Sequence, residues 1–187
     1  FLTGIVYANT VLLNSKTGIQ LNVVNRNGFE VVIAPDITPE YIDLSKVVHV
    51  YASLQSKANE LRQTYKAHFA VCVYPTDLVG GMTYLLTSVK GNPSRAYCLV
   101  RDLQSSSTVH EICHLFGCHH HKLQLATPGP GLFSYSAGWA WLYEGVCWGD
   151  VMTYPGASIP NMPNVHTAPY LSNPLVHYLH LEEAPLT

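Results

Sequence analysis

A chain of 187 residues is long enough to bury the hydrophobic core of one domain, or of two small lobes on either side of a cleft. Only 12% of its residues are charged and its formal net charge is −2, which argues against a nucleic-acid-binding protein, because such proteins present a basic face. Hydrophobic residues make up 48% of the chain, but no stretch approaches 18 uninterrupted apolar residues, so no membrane span is expected.

The first part of the chain is predicted to alternate between strands and helices. Residues 1–14 are mostly apolar and fit a strand or a helix equally well. Residues 19–23 alternate between apolar and polar side chains, and residues 29–34 are rich in β-branched side chains, so each segment is predicted to form a strand. Turn and capping residues follow at 36–39. A helix is predicted near 53–66, where side chains recur at helical spacing: Leu54, Ala58, Leu61 and Tyr65.

Three further strands are predicted in the middle of the chain. The first covers residues 68–74 and is ended by a proline, and the others cover 82–87 and 96–100. The Gly-Asn-Pro sequence at 91–93 is typical of a turn and separates the last two strands.

A helix follows these strands, and after it the character of the sequence changes. Three serines at 105–107 supply a cap for this helix, which is predicted to continue to Phe116 and to stop at Gly117. Residues 118–187 are rich in proline and show no long periodic pattern, so they are predicted to be irregular.

The most informative segment is the pattern HExxHxxGxxH at residues 110–120. On an α-helix, positions i and i+4 lie on one face, so His110 and His114 can bind one metal ion through their imidazole nitrogens. Glu111 projects one step around the helix, beside the ion rather than onto it. From there its carboxylate can accept a proton from a water molecule that the metal activates.

Gly117 explains how a third ligand reaches the same ion. Glycine adopts the left-handed conformation at low cost, so it ends the helix and turns the chain, and His120 can return to the metal. Three neutral histidines leave the fourth tetrahedral position of one Zn²⁺ ion open for water, as in catalytic zinc sites. Five fixed residues at these spacings coincide by chance at about one position in 10⁶–10⁷, which argues against a helix with incidental histidines.

With these residues the chain resembles the metzincin clan of zinc peptidases, which share the extended motif. Residues 150–154 resemble the Met-turn of that clan, and Met152 lies 32 residues after His120. The resemblance implies that Met152 is a buried apolar floor beneath the metal and not a ligand. It also implies that Tyr154 lies near the metal, where its hydroxyl would stabilise the oxyanion of the tetrahedral intermediate or cap the resting ion.

Three further segments are similar to the reprolysin-like bacterial enzymes, especially the peptidyl-Asp metallopeptidases. Residues 80–85 are similar to the edge strand before the zinc helix, 136–139 to a Gly-aromatic segment after it, and 169–176 to a C-terminal segment. The resemblance implies that an extended protein or peptide substrate pairs with the edge strand through backbone hydrogen bonds. The expected substrate-binding residues of that strand are Gly81, Met82, Thr83 and Tyr84.

The resemblance also implies an α+β, metzincin-like fold for a single metallopeptidase catalytic domain over residues 1–187. A twisted mixed sheet with an antiparallel edge strand, together with the active-site helix, would form an N-terminal lobe at about 1–117. An irregular C-terminal lobe at about 118–187 would lie across a cleft. The chain begins with Phe1 and shows no signal peptide, so a processed or truncated product is expected, and the resemblance implies a secreted enzyme. A monomer is expected.

The chain has five cysteines, so at least one thiol is unpaired or bonds outside the chain. Cys118 and Cys147 bracket the segment between the helix and the Met-turn, where a disulfide would fit, but sequence does not determine pairing. Cys72 and Cys98 belong to strands expected to be neighbours, and two buried free thiols fit them equally well. Cys113 is predicted to pack as a small apolar residue at the edge of the metal site.

Two other functions fit parts of the pattern. The first is a zinc-binding module that has lost catalysis, although zinc binding alone would not require the Glu111 that the chain retains. The second is a secreted binding or adhesion domain that uses the histidines at 119–121 for metal-dependent contacts. His119 and His121 do not match the motif spacing and are predicted to be exposed rather than to bind the metal.

Overall fold

The computed structural model describes residues 2–25, 43–103, 106–155, 159–174 and 176. These residues form helices and small mixed sheets, in agreement with the predicted α+β class. The helices are α1 (Leu2–Asn14), α2 (Leu44–Ser53), α3 (Gln55–Tyr65) and α4 (Ser107–Leu115), with a short 3-10 helix at Pro93–Arg95. The strands are β1 (Ala70–Val73), β2 (Gly81–Thr83), β3 (Tyr97–Val100), β4 (Ala140–Tyr143), β5 (Val146–Gly149) and β6 (His166–Thr167). No described helix combines the length and the apolar character that a membrane crossing needs.

The first sheet has the order β1-β3-β2, with β3 parallel to β1 and antiparallel to β2. The predicted mixed sheet with an antiparallel edge strand is therefore present, and its three strands are shorter than predicted. Helices cover both faces, so every residue of β3 is buried. Cys98 and Val100 face the core with α1 and α4, whereas Tyr97 and Leu99 face the core with α2 and α3. Because burial of an aliphatic side chain such as Leu99 contributes about 1.5–3 kcal/mol, β3 anchors both helical layers.

Two consecutive helices occupy the region where a single helix near 53–66 is predicted. The N-cap of α2 is Asp43, whose Oδ1 accepts a hydrogen bond from the backbone N–H of Lys46 at 3.0 Å. Leu54 separates α2 from α3, and α3 ends at Lys66, which adopts the left-handed conformation with φ 52°. The sequence contains a signal for α2 that the prediction missed, since its buried face follows helical spacing: Val47, Val50 and Tyr51.

The ambiguous N-terminal segment is a helix, and the strand predicted at 19–23 is wrong. Residues 19–23 have no β partner among the described residues. The side chain of Asn9 on α1 instead forms the hydrogen bonds that a neighbouring strand would make with Leu21. The Oδ1 atom of Asn9 accepts the N–H of Leu21 at 2.7 Å, and its Nδ2 donates to the Leu21 carbonyl at 3.0 Å. The strand predicted at 29–34 and the turn predicted at 36–39 lie outside the described residues.

The C-terminal region is less irregular than predicted. Strands β4 and β5 form an antiparallel hairpin, in which Trp141 pairs with Trp148, and β6 adds to β5 in parallel. The two residues of the hairpin turn, Glu144 and Gly145, both have positive φ, which suits the right-handed twist of the strands. The remaining described segments between residues 118 and 174 carry no further strand or helix apart from isolated bridges.

All five cysteines are free thiols. Cys72 and Cys98 lie on neighbouring strands as predicted, but Cys98 pairs with Val71, so the two cysteines point to opposite faces of the sheet. Cys118 and Cys147 are likewise unpaired. Cys113 is fully buried in the core and packs as a small apolar residue, which confirms its predicted role.

Candidate metal centre

Helix α4 carries the first two histidines of the motif on a buried element. Its residues from Thr108 to His114 are all buried, because the helix packs against β2, β3 and α1. Ser106 precedes the helix as its N-cap without a side-chain hydrogen bond, and Ser105 lies outside the described residues. Because the helix is packed on these sides, the directions in which the side chains of His110 and His114 project are fixed.

The chain reverses at Gly117, as predicted. Gly117 has a φ of +87°, its N–H donates to the carbonyl of His114 at 3.0 Å, and the N–H of Cys118 donates to the carbonyl of Cys113 at 3.0 Å. A left-handed glycine with such backward hydrogen bonds ends a helix and redirects the chain. The turn brings His120 back to the two histidines of α4.

The three histidines of the motif converge on a single point. The Nε2 atoms of His110, His114 and His120 lie 3.1 Å from one another in all three pairs. All three residues are buried, and they are the one group of potential metal ligands found among the described residues. Three corners of a tetrahedron around a metal with M–N bonds of 2.0–2.1 Å are separated by about 3.3–3.4 Å, so the triangle fits such an ion with small adjustments.

Backbone carbonyl groups hold the three imidazole rings in orientation. The Nδ1 atom of His110 donates to the carbonyl of Val151 at 2.7 Å, that of His114 to the carbonyl of Cys118 at 2.7 Å, and that of His120 to the carbonyl of Thr127 at 2.8 Å. A carbonyl oxygen can only accept, so each neutral ring carries its proton on Nδ1. The three Nε2 lone pairs then face one another, an arrangement that a bound cation stabilises.

Burial keeps these imidazoles in the form that binds metals. Burial lowers the pKa of His114 to about 2 and that of His120 to about 4, and it also lowers the pKa of His110. Positive charge on the neighbouring rings acts in the same direction. All three rings are therefore neutral near pH 7, and neutral imidazole is the ligand form.

Glu111 lies next to the histidine triangle but is not part of it. Its side chain is 5% exposed and rests against the backbone of β2, because a Cβ atom at Gly81 would lie only 2.7 Å from the Oε1 atom of Glu111. Burial raises the pKa of Glu111 to about 8. A divalent cation nearby would favour the ionised carboxylate.

The turn at residues 150–153 orients the ring of His110 through a backbone carbonyl group. Met152 is 1% exposed and packs in the core with residues of α1 and α4. The N–H of Met152 donates to Oδ1 of Asp150 at 3.1 Å, and the hydroxyl of Thr153 donates to the same atom at 3.0 Å. Val151 at the centre of this turn provides the carbonyl that orients His110.

Asp150 and Thr127 are two supporting residues to which the sequence analysis gave no role. The carboxyl group of Asp150 is fully buried, which raises its pKa to about 7, and its Oδ2 accepts the N–H of Ser172 at 2.9 Å. An Asp that caps its own backbone two residues later is a known turn signature, so the sequence contains a signal for Asp150. Thr127, with a φ of +46°, places both its carbonyl oxygen and its Oγ1 atom 2.8 Å from Nδ1 of His120, and no sequence pattern indicates it.

Tyr154 lies beside the histidine triangle at the surface. Its ring centroid is 4.4 Å from that of His120 and 5.5 Å from that of His110, and its side chain is 39% exposed. Burial of the hydroxyl raises the pKa of Tyr154, so the phenol stays protonated at neutral pH. The hydroxyl is hydrogen-bonded to the side chain of Thr127, and a protonated phenol can also donate a hydrogen bond.

The predicted substrate-binding residues lie on β2 and just after it. Gly81, Met82 and Thr83 pair with β3 along one side only, so β2 is an edge strand of the described sheet. The N–H of Tyr84 already donates to the hydroxyl of Tyr51 at 3.0 Å. The outer backbone edge of β2 therefore runs from Gly81, which lies beside Glu111, to Thr83.

The two histidines that flank His120 are less exposed than predicted. His121 is buried and its Nδ1 accepts the N–H of Leu123 at 3.1 Å, so the prediction that it is exposed is wrong. His119 is half-buried, and its Nδ1 accepts the N–H of His120 at 2.8 Å. Both rings thus support the local backbone, and neither belongs to the group of potential ligands.

Gly117 provides a test of the geometry that does not alter a ligand. Gly117→Ala should weaken zinc affinity about tenfold or more, because a Cβ atom at this φ costs about 1–2 kcal/mol and would lie 2.6 Å from the Cβ of Leu132. The measurement is competition with a chromophoric zinc chelator. Gly145→Ala is the matched control, since Gly145 also has positive φ but no atom within 4 Å of the added Cβ. Equal zinc affinity in the two variants would contradict the role of the turn.

Three buried imidazoles thus lie within binding distance of one metal ion, with a carboxyl group and a phenol beside them. Sequence spacing predicted the three histidines and Glu111, and the family resemblance implied that Tyr154 lies near them. No protein-family model matches the chain, and no curated protein or solved structure matches it.

Proposed function

We propose that this chain is a zinc-dependent endopeptidase of the metzincin type, which hydrolyses peptide bonds in protein or peptide substrates. The observation that carries the proposal is the triangle of Nε2 atoms, 3.1 Å apart, of His110, His114 and His120 beside the buried carboxyl group of Glu111. Three histidine ligands leave one position of a tetrahedral ion open. An open position next to a carboxylate is typical of a hydrolytic zinc site.

The donor set favours zinc over the alkaline-earth ions. Magnesium and calcium prefer oxygen ligands in six or more positions, whereas three imidazole nitrogens at tetrahedral separation suit zinc. A structural zinc site would contain a fourth protein ligand, and the ligand group among the described residues has three members. The site therefore fits a catalytic ion better than a structural one.

Each neighbouring residue has a distinct part in the proposed reaction. When bound, the ion would polarise the scissile carbonyl group and lower the pKa of water. Glu111 accepts a proton from the attacking water and later protonates the leaving amine. Tyr154 donates a hydrogen bond from its hydroxyl to the developing oxyanion. The outer edge of β2, from Gly81 to Thr83, pairs with the main chain of the substrate.

Metal-dependent cleavage of a denatured protein mixture tests this proposal. We expect incubation with the zinc-loaded protein to create new peptide termini, which mass spectrometry would locate. A chelator should abolish them and added zinc should restore them, because the three histidines alone do not activate water. A complete absence of new termini, or termini that form equally with chelator present, would contradict the proposal.

A further inference from the structure

Residues 169–173 lie between the end of helix α1 and the turn that orients His110. This segment belongs to no helix or strand, yet it bonds to its two neighbours in alternation. Its first, third and last residues bond to the end of α1, and the two residues between them bond to the turn. Such an alternation is typical of an extended chain, in which successive residues face opposite sides.

Three hydrogen bonds join the segment to the end of α1. The N–H of Leu171 donates to Oγ of Ser15 at 2.7 Å, and Nδ2 of Asn173 donates to the carbonyl of Ser15 at 2.8 Å. Asn14, the last residue of α1, donates from its Nδ2 to the carbonyl of Pro169 at 3.1 Å. Ser15 is fully buried, and its hydroxyl donates to the carbonyl four residues earlier at 2.6 Å. Its oxygen is therefore oriented as the acceptor for the segment.

Two hydrogen bonds join the segment to the turn. The N–H of Val151 donates to the carbonyl of Tyr170 at 3.0 Å, and the N–H of Ser172 donates to Oδ2 of Asp150 at 2.9 Å. The carbonyl of Val151 accepts the Nδ1–H of His110 at 2.7 Å. Val151 is thus held by the segment through its N–H, and it holds the ring of His110 through its carbonyl group.

Helix α1 also supports the helix from which His110 projects. Residues of α1 and α4 share one buried core, which includes Val11, Leu12, Val109 and Ile112. The backbone of His110 and the carbonyl group that orients its ring are therefore both positioned against α1. A ring that is fixed at its backbone and at Nδ1 keeps the orientation that metal binding needs.

We infer that Ser15 and Asp150 are positioning residues of the metal centre, because they link α1 through residues 169–173 to the ring of His110. Neither residue belongs to the group of potential ligands. The inference rests on the metal-binding part of the proposed function and not on peptide hydrolysis. Groups that orient metal-binding histidines contribute about 10–100-fold to metal affinity, and these two residues act one or more bonds further away.

Ser15→Ala should lower zinc affinity about three- to tenfold, measured by competition with a chromophoric chelator. Asn9→Ala is the matched control, because it removes two hydrogen bonds between the same helix and Leu21, outside the segment. It should lower thermal stability but keep the zinc affinity of the parent. Asn14→Ala, which removes only the bond to Pro169, is a milder variant that should act in the same direction as Ser15→Ala. Equal losses of affinity in Ser15→Ala and Asn9→Ala would contradict the inference.

Asp150→Asn should lower zinc affinity about tenfold, because an amide NH₂ group cannot accept the N–H groups that face this buried side chain. Asp77→Asn, at an exposed carboxylate, is the control and should not change the affinity. The double variant with Ser15→Ala should lose less than the product of the two single losses, since both residues act through the same segment. Losses that multiply would contradict a shared path.

Amide hydrogen exchange of the metal-free protein separates this inference from the proposed function. Ser15→Ala should speed exchange at the N–H of Val151 about tenfold relative to the amides of β3, and Asn9→Ala should leave this ratio unchanged. An unchanged ratio in Ser15→Ala would overturn the inference even if zinc affinity fell. A parent protein that binds no zinc would instead contradict the proposed function, and the exchange ratio would still decide whether Ser15 holds the turn.

Discussion

Glu111→Gln should keep zinc at its normal stoichiometry and lower the rate of peptide hydrolysis by about 10²–10⁴. Glutamine has nearly the same shape as glutamate, so it preserves the packing of this buried side chain against Gly81. It cannot accept the proton of the attacking water, which is the step assigned to the carboxylate. Zinc content and turnover of a fluorogenic peptide are the two quantities to measure on the same preparation.

A surface substitution of the same type controls for this experiment. Glu60 is exposed and pairs with Lys57, so Glu60→Gln removes one carboxylate away from the metal ligands and should leave turnover unchanged. Equal turnover in the Glu111→Gln protein and the parent would refute the assignment of Glu111 as the base. Zinc binding without any turnover in the parent would instead favour the silent zinc-binding module.

His120→Ala should abolish stoichiometric zinc binding. Loss of a partner that merely orients a ligand lowers metal affinity about 10–100-fold, so loss of the ligand itself should lower it by more than about 100-fold. Two histidines on α4 would remain, with no third nitrogen at 3.1 Å. Zinc content after dialysis, together with chelator competition, would measure the change.

The neighbouring histidine offers a matched control for this second experiment. His119→Ala removes the adjacent imidazole, which supports the backbone N–H of His120 but lies outside the ligand triangle. Its zinc affinity should fall far less than that of His120→Ala. An adhesion domain that used the whole histidine cluster would lose affinity to a similar degree in both variants, and that result would contradict the ligand assignment.

The sequence predicts the candidate site better than it predicts the fold, because the site is mostly local. His110, Glu111 and His114 lie on one helix, and a single glycine turn returns His120, so spacing alone places all four. The carbonyl groups that orient the rings could not be predicted in this way. They are backbone atoms of residues up to 41 positions away, and every residue type offers the same carbonyl group, so the sequence carries no signal for them.

The errors in the fold have separate physical causes. Alternating polarity at 19–23 resembled a strand, but one side chain on α1 satisfies the backbone of Leu21, and periodicity contains no information about such a contact. The hairpin of β4 and β5 was missed because Glu144 is an uncommon residue in a turn with positive φ. His121 was expected to be exposed because it falls outside the motif spacing, yet it is buried and its Nδ1 accepts a backbone N–H.

The three carbonyl anchors of the histidine rings lie on separate segments, at Cys118, Thr127 and Val151, and none of these residues belongs to a helix or strand. An ion shared by the three rings would therefore fasten these loops to α4, as a covalent cross-link would, in a chain whose cysteines are all unpaired. Withdrawing the ion should loosen these loops before it loosens the sheet, and an added protease should then cut the loops first. The metal supply would then determine how long the chain survives, in addition to the catalytic rate proposed for it.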